Sequence, residues 1–300
     1  MMKISVIICT RNRFDDFQKT LSSLVKQTRL PDELVIVDSS DEKKIEDYLN
    51  SIKIPFSTRY FHTQPGLTLQ RNYGIRESVS DLIFFFDDDV ELDSNYFDEI
   101  ERIFANDLFH EIGAVGGRII RPLGGQSKPV RFWLEQKIFF LLRSIFGLVD
   151  NGSGRFRWSG MATHPHAILQ SRYIECLSGC CMAFRREVFD KASFDEKLVR
   201  YGLMEDSDIS KQVLDAGYKI YYHASATLAH NESPKNRLNY RQWAEMTVVN
   251  YDYLFRKSWS KDKWRWAAYY WALLGLIVVN LTKREALRGT LNGIRNLKGR

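Results

Sequence analysis

The sequence predicts an α/β fold: a mostly parallel sheet flanked by helices, followed by a helical C-terminal extension that is apolar and basic. Two observations predict the sheet. Short β-prone apolar runs alternate with amphipathic segments through the first half of the chain, as in parallel α/β proteins. Polar residues also follow three of these runs, at the point where each strand ends. A third observation, the change to a helical pattern after residue 232, predicts the extension.

The individual elements follow from the same patterns. Continuous apolar runs predict strands at 4–9, 34–37, 58–61 and 82–86, and helical spacing predicts a helix at 14–27. In the second half we predict an apolar helix at 132–148, a loop at 150–170, a strand at 177–184, a helix at 205–216 and short strands at 219–223 and 227–230. Because the carboxyl ends of parallel strands share one edge of a sheet, residues 10–13, 38–40 and 87–89 should meet there.

Charge is distributed unevenly along the chain. Residues 235–300 contain 14 Lys and Arg against 4 Asp and Glu, whereas residues 1–234 contain 29 against 33. A basic tail favours an anionic partner, either nucleic acid or an anionic membrane surface. The aromatic residues of the tail lie in an uncharged run rather than between cations, which argues against nucleic acid.

The cysteines and the N-terminus narrow the class of protein further. None of the four cysteines forms a CxxC pair or a Cys/His cluster with the spacing of a zinc site. A disulfide framework is not expected in a chain of 300 residues. The N-terminus lacks a charged-then-apolar signal pattern, so we expect the folded domain to stay in the cytoplasm.

Three consecutive aspartates follow the predicted strand at 82–86. In an extended chain, Asp87 and Asp89 point to the same face and can bind one cation, with Asp88 turned away or held by a ribose or backbone group. Ligands that are all oxygen favour Mn²⁺ or Mg²⁺. The alternative is a solvated acidic loop or a helix N-cap. The apolar run directly before the triplet favours the metal, because three carboxylates at a buried strand end repel one another without a cation.

Three further candidates lie downstream of the first strands. Arg71, in the Gly-containing segment 66–74, can offer a fork of donors to a phosphate or base, although that segment is neither a Walker A loop nor GxGxxG. Asp206 can act as a general base, although acidic residues are also common in first helical turns. His230 ends a strand and can be a third metal ligand, with His223 as the weaker candidate.

The order of these motifs resembles the family 2 glycosyltransferases of the GT-A fold. The resemblance covers about residues 3–232 and rests on 5–13, 34–40, 66–74, 87–89, 178–186, 194–206 and His230. Cys9 stands where the family usually has Pro. The resemblance implies a nucleotide-sugar side formed by Thr10, Arg11, Arg13, Asp38, Arg71, Asn72, Asp87 and Asp88. It also implies a metal set of Asp87, Asp89 and His230, an acceptor side that includes Gly179 and Glu205, and Asp206 as the catalytic base.

The resemblance implies a metal-dependent glycosyltransferase that inverts the sugar carbon. Its donor would be a UDP- or dTDP-sugar, and its acceptor a lipid-linked or growing surface glycan. We predict a catalytic domain at 1–234, with a nucleotide-sugar half at about 1–120 and an acceptor half at about 121–234. Residues 235–300 form the predicted extension.

Two other classes of protein compete with this interpretation. A sugar-nucleotide pyrophosphorylase needs a Gly-rich loop after the first strand, and residues 10–13 contain no glycine. The other is a catalytically inactive, membrane-docked binding protein. The presence of Asp38, Asp87, Asp89 and Asp206 together argues against this class.

Two apolar segments favour a membrane partner. Residues 266–282 are uncharged, and as a helix they would span about 25 Å, at the lower limit for crossing a bilayer. Aromatic residues crowd one end, and cations flank both ends. The helix at 132–148 has the composition of an in-plane anchor. We therefore expect the protein on the cytoplasmic face of the membrane, peripheral or shallowly inserted. The alternative is that both helices are buried in the core or in a homodimer.

Overall fold

A mixed β-sheet forms the centre of the first of two structural units in the computed structural model. The structure describes residues 1–120, 130–165, 168–235 and 237–297, with side chains for all of them except 130–136. The first unit comprises Met1–Pro122 and Pro165–Asn236, and the second comprises Leu123–His164 and Arg237–Arg300. The strands are β1 (Ile4–Thr10), β2 (Glu33–Asp38), β3 (Ser57–His62), β4 (Leu82–Phe86), β5 (Val90–Leu92), β6 (Ile112–Ile120), β7 (Arg172–Ile174), β8 (Cys181–Arg185) and β9 (Lys219–His230).

Helices cover the sheet and form the second unit. They are α1 (Phe14–Leu24), α2 (Lys44–Ser51), α3 (Leu67–Glu77), α4 (Tyr96–Asn106), α5 (Val130–Ile145), α6 (Glu205–Asp215), α7 (Tyr240–Ser258), α8 (Arg265–Asn280) and α9 (Arg284–Leu297), with a 3₁₀ helix at Arg186–Asp190. The predicted α/β class and the helical C-terminal extension are confirmed. In the part of the chain that the structure describes, no helix is both long and apolar enough to cross a membrane.

The sheet is parallel in its first half and mixed in its second. Its order is β3-β2-β1-β4-β8-β6-β9-β5, with β7 paired to β9. β3, β2, β1 and β4 are parallel, as predicted, and Thr10 lies opposite Asp38 at their carboxyl ends. Beyond β4 the sheet becomes mixed, because β8 runs antiparallel to both β4 and β6, whereas β6 and β9 are parallel. Phe86 pairs with Cys181, so the residues that precede β8 lie beside the aspartates that follow β4.

Burial on both faces explains why the first strands are continuously apolar. Ile4 and Ile8 pack on one face with Leu21 of α1. Ile7 packs on the opposite face with Phe85. Burying an aliphatic or aromatic side chain of this size contributes about 1.5–3 kcal/mol. The two runs predicted at 219–223 and 227–230 form one strand, β9, whose register against β6 shifts between them.

Small residues allow close helix packing in the second unit. Gly289 and Gly293 of α9 face α7, where a Cβ on Gly289 would lie 2.1 Å from the Arg241 carbonyl oxygen. Phe146, just after α5, packs against Gly275 of α8. This packing explains why residues 123–164 belong to the same unit as the C-terminal helices, although the sequence suggested that they belong to the acceptor half. Between α5 and β7 the described residues contain an isolated bridge between Phe156 and Ala162. Residues 166 and 167 of the predicted loop lie outside the described part.

Replacing Gly289 by Ala should destabilise the second unit. The new methyl group collides with main-chain atoms of α7, which cannot turn aside as a side chain can, so α9 must move. Overpacking of this kind costs about 1–3 kcal/mol. At about 2–4 °C per kcal/mol, the melting temperature should fall by several degrees. Arg295→Ala, at an exposed position of the same helix, is the control and should leave it unchanged. Equal melting temperatures for the two variants would contradict this packing.

Candidate active site

Asp87, Asp89 and His230 form a cluster with the composition of a metal site. One ligand atom from each lies within 4.8 Å of the others. Nε2 of His230 is 3.1 Å from Oδ1 of Asp89 and 3.8 Å from Oδ2 of Asp87. The pairing of β5 with β9 sets this distance, because it places Val90 opposite His230.

The chemistry of the cluster fits a divalent cation. Oδ1 of Asp89 is buried and, apart from its contact with His230, has no hydrogen-bond partner among the described residues. Two carboxylates suit Mn²⁺ or Mg²⁺, whereas an imidazole is more usual on a transition metal and so favours Mn²⁺ of the two. Burial alone would lower the pKa of His230, but Asp89 and then Cys180 raise it to about 11. A cation would compete with this proton for Nε2.

Asp88 turns away from the cluster and anchors the loop after β1. Its carboxylate accepts hydrogen bonds from Oγ1 of Thr10 at 2.7 Å and from the Arg13 guanidinium at 3.0 Å. Burial raises the pKa of Asp88 to about 7, although Arg13 and Thr10 act in the opposite direction. Arg13 also donates to the Lys235 carbonyl oxygen at 2.7 Å. The middle aspartate of the triplet therefore fixes the loop at 10–13 against the triplet itself.

Asp38 lies fully buried at the end of β2. One carboxylate oxygen accepts from the Ser40 amide at 2.8 Å, and the other accepts from the Tyr60 hydroxyl at 3.0 Å. Nε2 of Gln70 donates to main-chain oxygens of both Thr10 and Val37, so α3 ties the ends of β1 and β2 together. The sequence does not identify Tyr60 or Gln70 as residues of the site, because a single polar residue on a strand or helix carries no distinguishing pattern.

Arg71 is buried at the centre of the site. Within the segment 66–74, α3 begins at Leu67, so Arg71 lies on a helix. Its guanidinium donates to the Gly179 carbonyl oxygen at 2.9 Å, and it lies 2.5 Å from the Glu205 carboxylate and 3.5 Å from Asp87. Burial raises the pKa of Glu205 to about 8, despite the opposing charge of Arg71. A single guanidinium thus joins the aspartate triplet to the start of α6.

Asn72, the next residue, joins α3 to the segment before α6. Its amide nitrogen donates to the Phe194 carbonyl oxygen at 2.8 Å and to the Glu196 carboxylate at 2.9 Å. Its amide oxygen accepts from the Phe194 amide at 3.0 Å. Arg11, in contrast, has a side chain that is 47% exposed and lies 3.8 Å from Asp41. Of the predicted nucleotide-side residues, Arg11 has the side chain most open to an incoming ligand, whereas Asn72 is held by protein groups.

Asp206 is held by main-chain donors in the first turn of α6. The amides of Gly179 and Ser207 donate to its two carboxylate oxygens, at 3.0 and 2.8 Å. Met204, before the helix, has a left-handed backbone with φ of 71°, which is strained for a residue with a side chain. A Cβ on residue 179 would lie 2.7 Å from Oε1 of Glu205, so a larger residue here would displace that carboxylate. These contacts bring the predicted base and the two predicted acceptor-side residues together.

Two other residues of the site were not identified from the sequence. The Ser233 amide donates to Asp89 at 2.8 Å, and its hydroxyl donates to Asp16 at 2.7 Å. Cys180 lies close enough to His230 to influence its pKa. Because Ser233 follows His230 by only three residues, its position in the sequence could have indicated that it belongs to the site. No feature of the sequence indicates Cys180, because a cysteine near an apolar strand resembles any small buried residue.

Solved glycosyltransferase structures share this fold. The structure of GalNAc-T7 with UDP, GalNAc and Mn²⁺ matches 85% of this chain with a TM-score of 0.58 and 16% identity, and this chain covers 50% of that one. The mannosyltransferase PcManGT from Pyrobaculum calidifontis, in complex with GDP-Man and Mn²⁺, matches 99% of this chain with a TM-score of 0.56 and 14% identity. This chain covers 75% of PcManGT. The predicted GT-A type fold is confirmed.

Curated relatives are similar over most of the chain. The glucosyl-dolichyl phosphate glucuronosyltransferase of Haloferax volcanii is 23% identical over 266 residues, which cover 86% of this chain and 75% of that protein. The O-antigen chain rhamnosyltransferase RfbN of Salmonella typhimurium is 25% identical, covering 83% of this chain and 73% of that protein. Residues 5–192 match the glycosyl transferase family 2. The chain belongs to this family and is a glycosyltransferase.

Proposed function

We propose that the protein transfers a sugar from a nucleoside diphosphate donor to an acceptor hydroxyl, with inversion at the sugar carbon. The observation that carries this proposal is the link through Arg71, which contacts both Asp87 and the first turn of α6. A candidate metal set and a candidate base therefore face one region. An inverting displacement requires this arrangement, because donor and base must act on opposite sides of the same carbon.

Asp206 is the proposed general base. As the acceptor oxygen bonds to the sugar carbon, its proton passes to the Asp206 carboxylate, and the bond from that carbon to the diphosphate breaks with its electron pair on the diphosphate. The amides of Gly179 and Ser207 support this role by fixing the orientation of the carboxylate. Because Asp206 itself does not bond to the sugar, a single displacement inverts the carbon.

Asp87, Asp89 and His230 are the proposed ligands of Mn²⁺ or Mg²⁺. The buried, poorly partnered Oδ1 of Asp89 supports this assignment. The bound ion would neutralise charge on the departing diphosphate. Two solved structures with the same fold are complexes with Mn²⁺ and either UDP or GDP-Man, which supports a divalent ion in the proposed mechanism.

The donor is proposed to be a UDP- or dTDP-sugar held at the ends of β1 and β2. Asp38 is proposed to contact the nucleobase. Arg11, whose side chain is exposed, is proposed to provide a positive charge at the solvent-exposed side of the donor site. Thr10, Arg13 and Asp88 shape the same loop, and Arg71 and Asn72 hold α3 in place behind it. Their direct contact with the nucleotide stays a prediction.

The acceptor is proposed to be a lipid-linked or growing surface glycan. Two relatives support this class: one is named for a dolichyl phosphate substrate and the other for an O-antigen chain. The peripheral location on the cytoplasmic face of a membrane belongs to the same proposal. A basic second unit supports it, because cations suit both anionic lipid and a lipid diphosphate.

Nucleotide binding should be visible as thermal stabilisation that depends on metal. We expect UDP or dTDP with Mn²⁺ to raise the melting temperature, whereas GDP and CDP should have less effect. A ligand at about 100 times its dissociation constant adds roughly 2.7 kcal/mol. The screen tests all four nucleotides with and without Mn²⁺. An equal shift without metal would contradict the metal assignment, and no shift with any nucleotide would contradict the donor site.

A further inference from the structure

α5 and α8 expose large apolar side chains at helical spacing. The most exposed of those at regular spacing are 138, 141 and 145 on α5, and 270 and 274 on α8 with 281 directly after it, so each set lies on one side of its helix; Phe140 and Trp271 are also exposed but lie outside these sets. The exposed fractions are 53% for Ile138, 61% for Leu141, 55% for Ile145, 60% for Tyr270, 45% for Leu274 and 58% for Leu281. Exposed apolar residues gathered in this way are uncommon on soluble proteins and mark an interaction surface.

The two helices pack side by side in antiparallel orientation. At the end of α5, the Phe146 ring lies 4.8 Å from the Trp271 ring, and the Trp271 indole donates to the Ile145 carbonyl oxygen at 2.9 Å. At the other end of the pair, the Lys283 ammonium lies 4.4 Å from the Phe139 ring centre. The later residues of α5 thus meet the earlier residues of α8.

This packing puts both apolar sets on the same side of the pair. Phe139 of α5 and Phe146 directly after it contact α8 or its C-terminal end. Ile138 and Ile145 each precede one of these two residues by one position. Trp271 and Gly275 are contact residues of α8, and 270 and 274 likewise come one position earlier. One position turns a side chain by about 100°. When two helices run antiparallel, the residues one position before the contact residues point to the same side of the pair on both helices. We call this surface, formed by Ile138, Leu141, Ile145, Tyr270, Leu274 and Leu281, the α5–α8 face.

Positive charge predominates in the unit that carries this face. The second unit contains 19 Lys and Arg against 6 Asp and Glu, whereas the first contains 24 against 31. Lys137 is an exposed neighbour of Ile138, and Arg143 and Lys283 lie over the Phe139 ring. Tyr270 and Trp271 add amphipathic rings, which favour the interface between water and lipid. Helices that lie in the plane of an anionic membrane typically have one apolar side bordered by cations.

We propose that the α5–α8 face docks on the anionic surface of a lipid bilayer, with both helices parallel to the membrane plane. A second copy of this chain is the other apolar partner, but a two-fold contact brings equivalent cations of two subunits together. An anionic bilayer offers charge of the opposite sign. The docking surface rests on the proposed peripheral location of the enzyme, but none of its residues belongs to the catalytic site, and binding is measured without turnover.

The test is co-sedimentation of the full-length protein with vesicles of phosphatidylcholine, alone or mixed with phosphatidylglycerol. We expect sedimentation with the anionic vesicles and weaker binding at high salt. Leu141→Gln combined with Leu274→Gln should reduce the apparent affinity at least about tenfold, because two apolar side chains no longer enter the lipid. The matched control is Leu108→Gln with Phe109→Gln, which changes two apolar residues of the first unit that are 82% and 88% exposed.

Three results would overturn the proposal. The wild-type protein could remain in the supernatant with every vesicle, or the two double variants could bind equally well. The face variant could also convert a dimer to a monomer in light scattering, without any vesicle binding, which would assign the face to a second copy. Thermal stabilisation of the face variant by nucleotide and Mn²⁺ is recorded in parallel. If docking fails while that stabilisation persists, the catalytic proposal is unaffected.

Discussion

Replacing Asp206 by Asn should lower the rate of sugar transfer at least about a hundredfold while nucleotide binding is retained. General bases contribute about 10²- to 10⁴-fold to rate, and an amide cannot take the proton of the acceptor hydroxyl. Asn has nearly the same shape and can still accept a hydrogen bond from Gly179 or Ser207. The measurement is release of the nucleoside diphosphate from the donor, with a lipid extract as the source of acceptor, beside the UDP–Mn²⁺ dissociation constant from calorimetry.

Asp215→Asn is the matched control for this variant. Asp215 ends the same helix, is 59% exposed and forms an (i, i+4) ion pair with Lys211. Exposed pairs of this type contribute little to stability, so the control should keep normal transfer and normal folding. Normal turnover in Asp206→Asn would remove Asp206 from the role of base. Loss of turnover together with loss of UDP binding would instead point to a folding defect around α6.

Replacing Asp89 by Ala should weaken both Mn²⁺-dependent donor binding and turnover. Mutating the residues that hydrogen-bond to a metal ligand lowers metal affinity or activity about 10- to 100-fold. Removing a ligand itself should therefore lower them at least about a hundredfold. The change also leaves the Ser233 amide without its carboxylate acceptor. The measurements are UDP affinity with and without Mn²⁺, and the Mn²⁺ concentration needed for half-maximal transfer.

Glu91→Gln is the control for the metal variant. Glu91 follows Asp89 by two residues but is exposed, and it accepts a hydrogen bond from the Asn231 side chain. The substitution removes a negative charge and so changes the local electric field, but it removes no proposed metal ligand. Transfer should therefore keep its metal dependence in Glu91→Gln. If UDP affinity depends on Mn²⁺ equally in Asp89→Ala and in the wild-type protein, the metal assignment is wrong.

The parallel half of the sheet could be predicted from the sequence because its strands are buried on both faces. Such strands are continuous apolar runs, and the run at 82–86 was located with the correct ends. Polar residues at the strand ends then indicated one shared edge, where the structure places Thr10 opposite Asp38. His230 could be brought into the same site only through the order of motifs along the chain.

The rest could not be predicted, since it depends on contacts between distant segments. α3 buries Gln70 and Arg71 instead of an apolar stripe, so its sequence lacks the pattern of an amphipathic helix. The position of β8 between β4 and β6 is not visible in chain order. The grouping of α5 with the C-terminal helices depends on Phe146 meeting Gly275, about 130 residues later.

The buried Arg71–Glu205 contact also limits how this enzyme can be recombined with its relatives. Arg71 belongs to the proposed nucleotide side and Glu205 to the proposed acceptor side, and each side chain is buried against the other. A buried charge without its partner costs about 3–5 kcal/mol. Chimeras that exchange acceptor halves to change glycan specificity should therefore fold only when both parents carry this pair. New acceptor preferences are more easily introduced around the pair than by replacing it.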